Sequence, residues 1–186
     1  MTTFCGTVWG QLHTSHIYAV FKGPYVYFGE TGNVPPVRWG NHVASKADFM
    51  GKLMKVDSAV AMDDSPIFFV GIHLSAADNE PTVNRSVARK AIEAELHLLF
   101  ELDTSRVSPA ITVLSSYESP ARHTFGFDKR AVAEHIYELI GKKYQRWRQE
   151  AARAGKYAIF DTTIPINVSN ATFGPGNYGF PNWRAY

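Results

Sequence analysis

The stretch HIYAVFKGPYVYFGETGNVPPVRWGNH, His16 to His42, decides the fold. Ile17, Val20 and Phe21 surround Tyr18 in one β-prone run, and Tyr25, Val26, Tyr27 and Phe28 form a second. Lys22-Gly23-Pro24 lies between them, and Gly/Pro punctuation of this kind joins two strands by a tight turn. Gly29-Glu30-Thr31-Gly32-Asn33 ends the second strand. Pro35-Pro36 can then open a helix, because the first helical amides need no intrahelical acceptor. Arg38 and His42 are four residues apart and share one face of that helix. Two phenols on adjacent strands, with a cation and an imidazole on the next helix, make a surface suited to phosphate.

The flanking sequence extends this core. The helix after Arg38 continues through Val43, Ala47, Met50 and Leu53, and Asp57 to Asp64 reads as a loop. Ile67 to Leu74 is a near-continuous apolar run, as expected of a central strand buried on both faces. The strongest helical pattern runs over 86–102. Ala88, Ile92, Glu95, Leu96 and Leu99 share its apolar face, and Glu93 and Glu101 point elsewhere as solvated charges. A carboxylate inside an apolar stripe must be paired, edge-exposed or metal-bound. Partners for Glu95 would be Arg89 or Arg106. Ala110 to Leu114 is the next strand candidate, and Ser115 to Gly126 a loop. A long helix follows over 128–154, with Val132, Ile136, Leu139 and Ile140 as its packing face. Tyr157 to Phe160 reads as a strand, the Gly/Pro/Asn-rich aromatic tail after it as loop, and residues 1–13 as an irregular arm or extra strand.

His16-Ile17-Tyr18, Tyr27-Phe28-Gly29 with Glu30-Thr31, and Arg38-x-x-x-His42 resemble the GIY-YIG nuclease superfamily. A glutamate on a later helix completes that family's site, commonly with Leu and an apolar residue at the third and fourth positions after it. Glu95, followed by Leu98 and Leu99, fits this element. The resemblance covers roughly residues 14 to 115. It departs from the pattern at His16 and Phe28, in the short link between the tyrosines, and in lacking an Asn after the glutamate. It implies an α+β fold, a small, mainly antiparallel sheet flanked by helices. Residues 1–118 would form the nuclease core, and 119–186 a C-terminal helical extension.

The implied activity is metal-dependent hydrolysis of phosphodiester bonds in DNA, with type II restriction or phage defence as the expected setting. Tyr18 would position or deprotonate the attacking water, its pKa lowered by Arg38, His42 and the metal. Tyr27 would orient or contact phosphate, although Tyr25 lies two residues earlier on the same strand face. Arg38 would grip the scissile phosphate through its planar fork. His42 would hold a water or a phosphate oxygen, and Glu95 would ligate Mg²⁺ or Mn²⁺. The remaining histidines show no metal-ligand spacing. Two other readings stay open: a nucleic-acid-binding module of the same fold without cleavage, and an unrelated small-molecule enzyme.

Composition agrees with a globular protein: 186 residues, 45% hydrophobic and 19% charged. The net charge of +2 is modest, but 127–156 alone carries +4, from eight basic and four acidic residues. In that segment Lys142, Lys143, Arg146, Arg148 and Trp147 are candidate nucleic-acid contacts, and a solvated basic face is the alternative. Double-stranded DNA is the expected partner, and a homodimer would suit a palindromic target. The single cysteine excludes an internal disulfide framework. No apolar run suits a membrane span and no signal peptide is recognisable, so a cytoplasmic protein is expected.

Overall fold

The computed structural model describes residues 4–6, 14–33, 35–44, 48–81, 83–102, 111–118, 123–163 and 183–185. Secondary structure is numbered in chain order. Strand β1 is Phe4–Gly6. Strand β2, His16–Lys22, is buried at every residue. It pairs antiparallel over its full length with β3, Tyr25–Thr31, and with β4, Ile67–His73. Strand β5, Thr112–Val113, joins β3 in parallel and gives the order β4-β2-β3-β5. The fold is α+β, as the sequence implies. The β2–β3 turn is Gly23-Pro24, where Gly23 takes φ 54°. A positive φ at the first turn position suits a two-residue hairpin and favours glycine.

The apolar run over 67–74 was expected to be central, yet β4 stands at one end of this sheet and β2 holds the centre. Two-sided burial of β4 comes from helices above and below, so an apolar run does not distinguish an inner strand from a covered outer one. Alternate side chains of the strands enter opposite layers, as the strand period of two requires. Ile17, Ala19, Phe21, Phe28, Phe68 and Val70 meet α5, Arg85–Leu102, and α6, Lys129–Thr163. Tyr18 and Val20 face the other way. They pack with Trp39 of α1, Pro35–Ala44, with Phe49 and Leu53 of α2, Phe49–Val56, and with Ala61 of α3, Ser58–Met62.

The helices depart from expectation in three places. The single helix expected through Leu53 is two, because Asp48 is extended (φ −94°, ψ −158°) before α2; Ala47 lies outside the described residues. The loop expected over 57–64 contains α3, whose first turn is capped by the Asp57 carboxylate accepting from the Val60 amide at 3.0 Å. The strand expected over 157–160 is the continuation of α6. A short helix, α4, Ser75–Asp78, occupies part of the polar stretch before α5. Of the aromatic tail, 164–182 lies outside the described residues, and Trp183–Ala185 forms β6, antiparallel to β1. Ala133, Ile136, Tyr137, Ile140, Tyr144 and Trp147 place α6 in the same buried cluster as the sheet. Among the described residues, no helix is long and apolar enough to cross a membrane.

Tyr18 sits opposite Gly29 on one side and Gly71 on the other. A Cβ at Gly29 would overlap the Tyr18 phenol, and one at Gly71 would come within 2.8 Å of Pro35 Cγ. Absence of a side chain on both neighbours lets the phenol lie across β3 and lets α1 close over β4. The Tyr18 ring is buried and cannot swing aside. Gly29→Ala should therefore cost about 1–3 kcal/mol through overpacking. Gly40→Ala, in α1 with nothing within 4 Å, should stabilise by about 0.5–1 kcal/mol. Urea denaturation of both variants checks the contrast.

Candidate active site

Strand β2 supplies Tyr18, β3 supplies Tyr27, and α1 supplies Arg38 and His42, so the helix has only to cross the strands for the four to meet. The Tyr18 hydroxyl and His42 Nε2 are 2.8 Å apart. The His42 ring centre lies 5.2 Å from that of Tyr18 and 4.7 Å from that of Tyr27. His42 Nδ1 accepts a long hydrogen bond, 3.4 Å, from the Phe49 amide at the start of α2. An accepting Nδ1 on a neutral imidazole leaves the hydrogen on Nε2, which donates to Tyr18 Oη.

Burial keeps His42 neutral, with its pKa lowered to about 4; Asp48 opposes this and the charges of Arg38 and Lys52 reinforce it. Arg38 also donates to the Tyr18 hydroxyl. Its Nε is buried, with no hydrogen-bond partner among the described residues. The Tyr18 phenol is nevertheless pushed up, not down. Burial dominates, and the hydrogen bond and charge of Arg38 offset it only in part. Tyr27 is also pushed up, by burial first and then by the charges of Asp48 and Glu93, with Arg38 opposing. Taking a proton from water at Tyr18 thus depends on positive charge that a metal would bring.

Glu95, expected in this cluster as metal ligand, is elsewhere. Its carboxylate pairs with Lys129 Nζ at 2.7 Å and with Arg130 at 3.6 Å, where α5 meets the start of α6. Of the partners expected from sequence, Arg89 is committed to Glu30 and Arg106 lies outside the described residues. The acid whose charge reaches both phenols is Glu93. Two residues turn the helix by about 200°, enough to send neighbouring glutamates to opposite sides. Glu93 is half-buried, and no hydrogen bond or ion pair to its carboxyl is seen among the described residues. Burial, then the charge of Glu30, raises its pKa to about 8 against the pull of Lys90. It is not the solvated helix charge that sequence spacing suggested. One available signal favoured it: Leu96 stands three residues after Glu93, where the family pattern has Leu. His97 in the following position hides that signal.

His97 is buried and stacks on Tyr117 at 4.8 Å. Ser115 Oγ, 3.2 Å from His97 Nε2, accepts the Phe28 amide at 2.9 Å. The basic segment of α6 divides by face. Lys142, Arg146 and Arg148 are exposed and Lys143 is half-buried. Trp147 is buried, stacked on Phe68 with ring centres 4.9 Å apart, which removes it from the candidate nucleic-acid contacts.

Among the described residues no three His, Cys, Asp or Glu side chains are grouped to hold a metal. A Mg²⁺ ion that keeps much of its water needs only one or two carboxylates beside substrate phosphate oxygens. Glu93, with no partner seen among the described residues, fits that demand, and the Arg38 guanidinium beside Tyr18 brings the positive charge a phosphate needs. Comparison of the chain with protein-family models, curated proteins and solved structures gives no match.

Burial holds His16, His42 and His97 each at about 4, against 6.5 for a free imidazole. Between those values the unfolded chain binds more protons than the folded one, so stability falls as pH drops from 6.5 towards 4. Urea midpoints measured across that window should decline in the wild type. The decline should be shallower in His42→Asn, which has one fewer imidazole to protonate on unfolding.

Proposed function

We propose that this protein is a metal-dependent endonuclease of the GIY-YIG type that hydrolyses phosphodiester bonds in DNA, in restriction or phage defence. The observation that carries the reading is the Tyr18 hydroxyl gripped by His42 and Arg38, beside a carboxyl for which no partner is seen among the described residues. The first feature was expected from the order of motifs; the carboxyl is that of Glu93 in place of Glu95.

Each side chain has a definable task. Arg38 offers the charge of its guanidinium to a phosphate oxygen while it stays tied to Tyr18. His42 and Arg38 both donate to Tyr18 Oη, so negative charge on that oxygen is stabilised and the phenol's own hydrogen is directed away from them. Tyr18 orients the attacking water, and once its own proton has left to solvent the phenolate accepts the water's proton. Tyr27, against the His42 ring, keeps the imidazole in place. Glu93 would hold Mg²⁺ or Mn²⁺, which when bound supplies positive charge to the phosphate and leaving oxygens. The exposed Lys142, Arg146 and Arg148 of α6, with Lys143, would contact neighbouring phosphates of the duplex. A palindromic target would pair two copies of the chain about a two-fold axis.

A second reading, nucleic-acid binding without cleavage, is favoured by the neutral state of Tyr18, His42 and Glu93 at pH 7. Burial there raises the carboxyl of Glu93 and the phenol of Tyr18 while lowering His42. Plasmid nicking with Mg²⁺ or Mn²⁺ separates the two. Arg38→Ala and Glu93→Gln should each reduce cleavage by about 100-fold or more, and Glu95→Gln should stay within about threefold of wild type, as for an ion pair at the surface. At limiting metal, cleavage should increase as pH rises through about 8, where the Glu93 carboxyl loses its proton. Salt-sensitive binding without any nicking would select the second reading, and nicking that survives Arg38→Ala and Glu93→Gln would remove the site from the reaction.

A further inference from the structure

One cation beside this cluster has no task in the reaction described above. Lys52, on α2, places Nζ 5.0 Å from the centre of the Tyr27 ring. That ring meets His42 at 4.7 Å and Phe49 at 6.5 Å. Tyr27 therefore links Lys52 to the group formed by Tyr18, Arg38 and His42. Lys52 is half-buried, and no ion pair of its ammonium is seen among the described residues. Asp48, four residues earlier, directs its carboxylate toward His42 Nδ1 at 3.9 Å.

The surroundings constrain what the ammonium can do. Its charge reaches both His42 and His97, which it pushes down. An unpaired ammonium held over a phenol keeps its donors pointing outward, because a π face satisfies charge but accepts no full set of N–H bonds. Arg38, the other cation of the site, is already bonded to Tyr18, and its charge serves the phosphate at that hydroxyl. The half-buried ammonium is left for water or for an anionic group of a ligand.

We propose that Lys52 binds the phosphate adjacent to the one cleaved, and so makes the site selective for internal phosphodiesters of a polynucleotide over an isolated phosphodiester. This rests on the nuclease reading and extends it to the substrate class. The role is one of binding and positioning: Lys52 does not touch the reacting atoms. Its geometry depends on Tyr27, which gives that phenol's ring a use beyond packing against His42.

Two measurements on the full chain test it. The first is binding of a DNA duplex, followed by fluorescence anisotropy over a series of KCl concentrations with Ca²⁺ in place of Mg²⁺. Lys52→Met should lower the slope of log K against log salt by about 1, and Lys52→Arg should restore it. The second is the ratio of kcat/KM on a hexanucleotide to kcat/KM on a dinucleoside monophosphate, which has no neighbouring phosphate. That ratio should fall about tenfold in Lys52→Met, the worth of one charge-assisted hydrogen bond. It should recover in Lys52→Arg. Thermal melting of each variant verifies that the fold is kept. An unchanged slope and ratio in Lys52→Met, with wild-type DNA binding intact, would overturn the role of Lys52 alone. Wild-type protein that binds no DNA would overturn the nuclease reading and this role with it.

Discussion

The placement of one side chain, Tyr18, governs most of the molecule. It stands in the middle of a strand that is buried at every residue and paired over its full length on both sides. Seven residues of ladder on each side leave no freedom of register, since a one-residue slip would send Tyr18 into the layer of α5 and α6. Gly29 and Gly71 in the flanking positions remove the side chains that would otherwise occupy the space above it. The gap admits the phenol across β3 and the start of α1 over β4. Arg38 and His42 follow α1 to the hydroxyl. The site is thus a consequence of sheet register and of two missing Cβ atoms.

Burial then sets the electrostatics. Charged groups surround the Tyr18 hydroxyl, yet desolvation outweighs them: phenols and a carboxyl are pushed up and imidazoles down. Each of these shifts favours the neutral form. A site so arranged has little charge of its own to hold off a polyanion, and its donors are oriented in advance. Such preorganisation lowers the reorganisation cost when an anion arrives. The same low-dielectric setting strengthens any charge a ligand introduces.

The two glutamates of α5 illustrate how far a helix separates near neighbours. Glu95 meets Lys129 and Arg130, and its ion pairs tie α5 to the start of α6. Glu93, on the opposite side, feels the sheet's phenols and Glu30. Both are acids in an apolar helix of the same composition. Only the direction in which the helix is rotated against the sheet tells them apart, and that rotation is set by Ala88, Ala91, Ile92, Leu96 and Phe100 entering the core.

Much of this was legible in the residues. The hairpin, its turn at Gly23-Pro24, the onset of α1 at Pro35, the Arg38–His42 spacing and the extent of α5 follow from local rules: periodicity, punctuation and first-turn chemistry act within a few residues. What local rules cannot reach is which elements cover which. The outer position of β4, the break before α2, the burial of Trp147 against Phe68 and the exchange of Glu95 for Glu93 all depend on contacts between distant segments. The sequence by itself determined the β2–β3 hairpin, the onset of α1, the extent of α5 and the types of side chain that would converge. Only the tertiary structure decided their partners and their protonation, because desolvation and helix rotation are properties of the packed whole and leave no period in the chain.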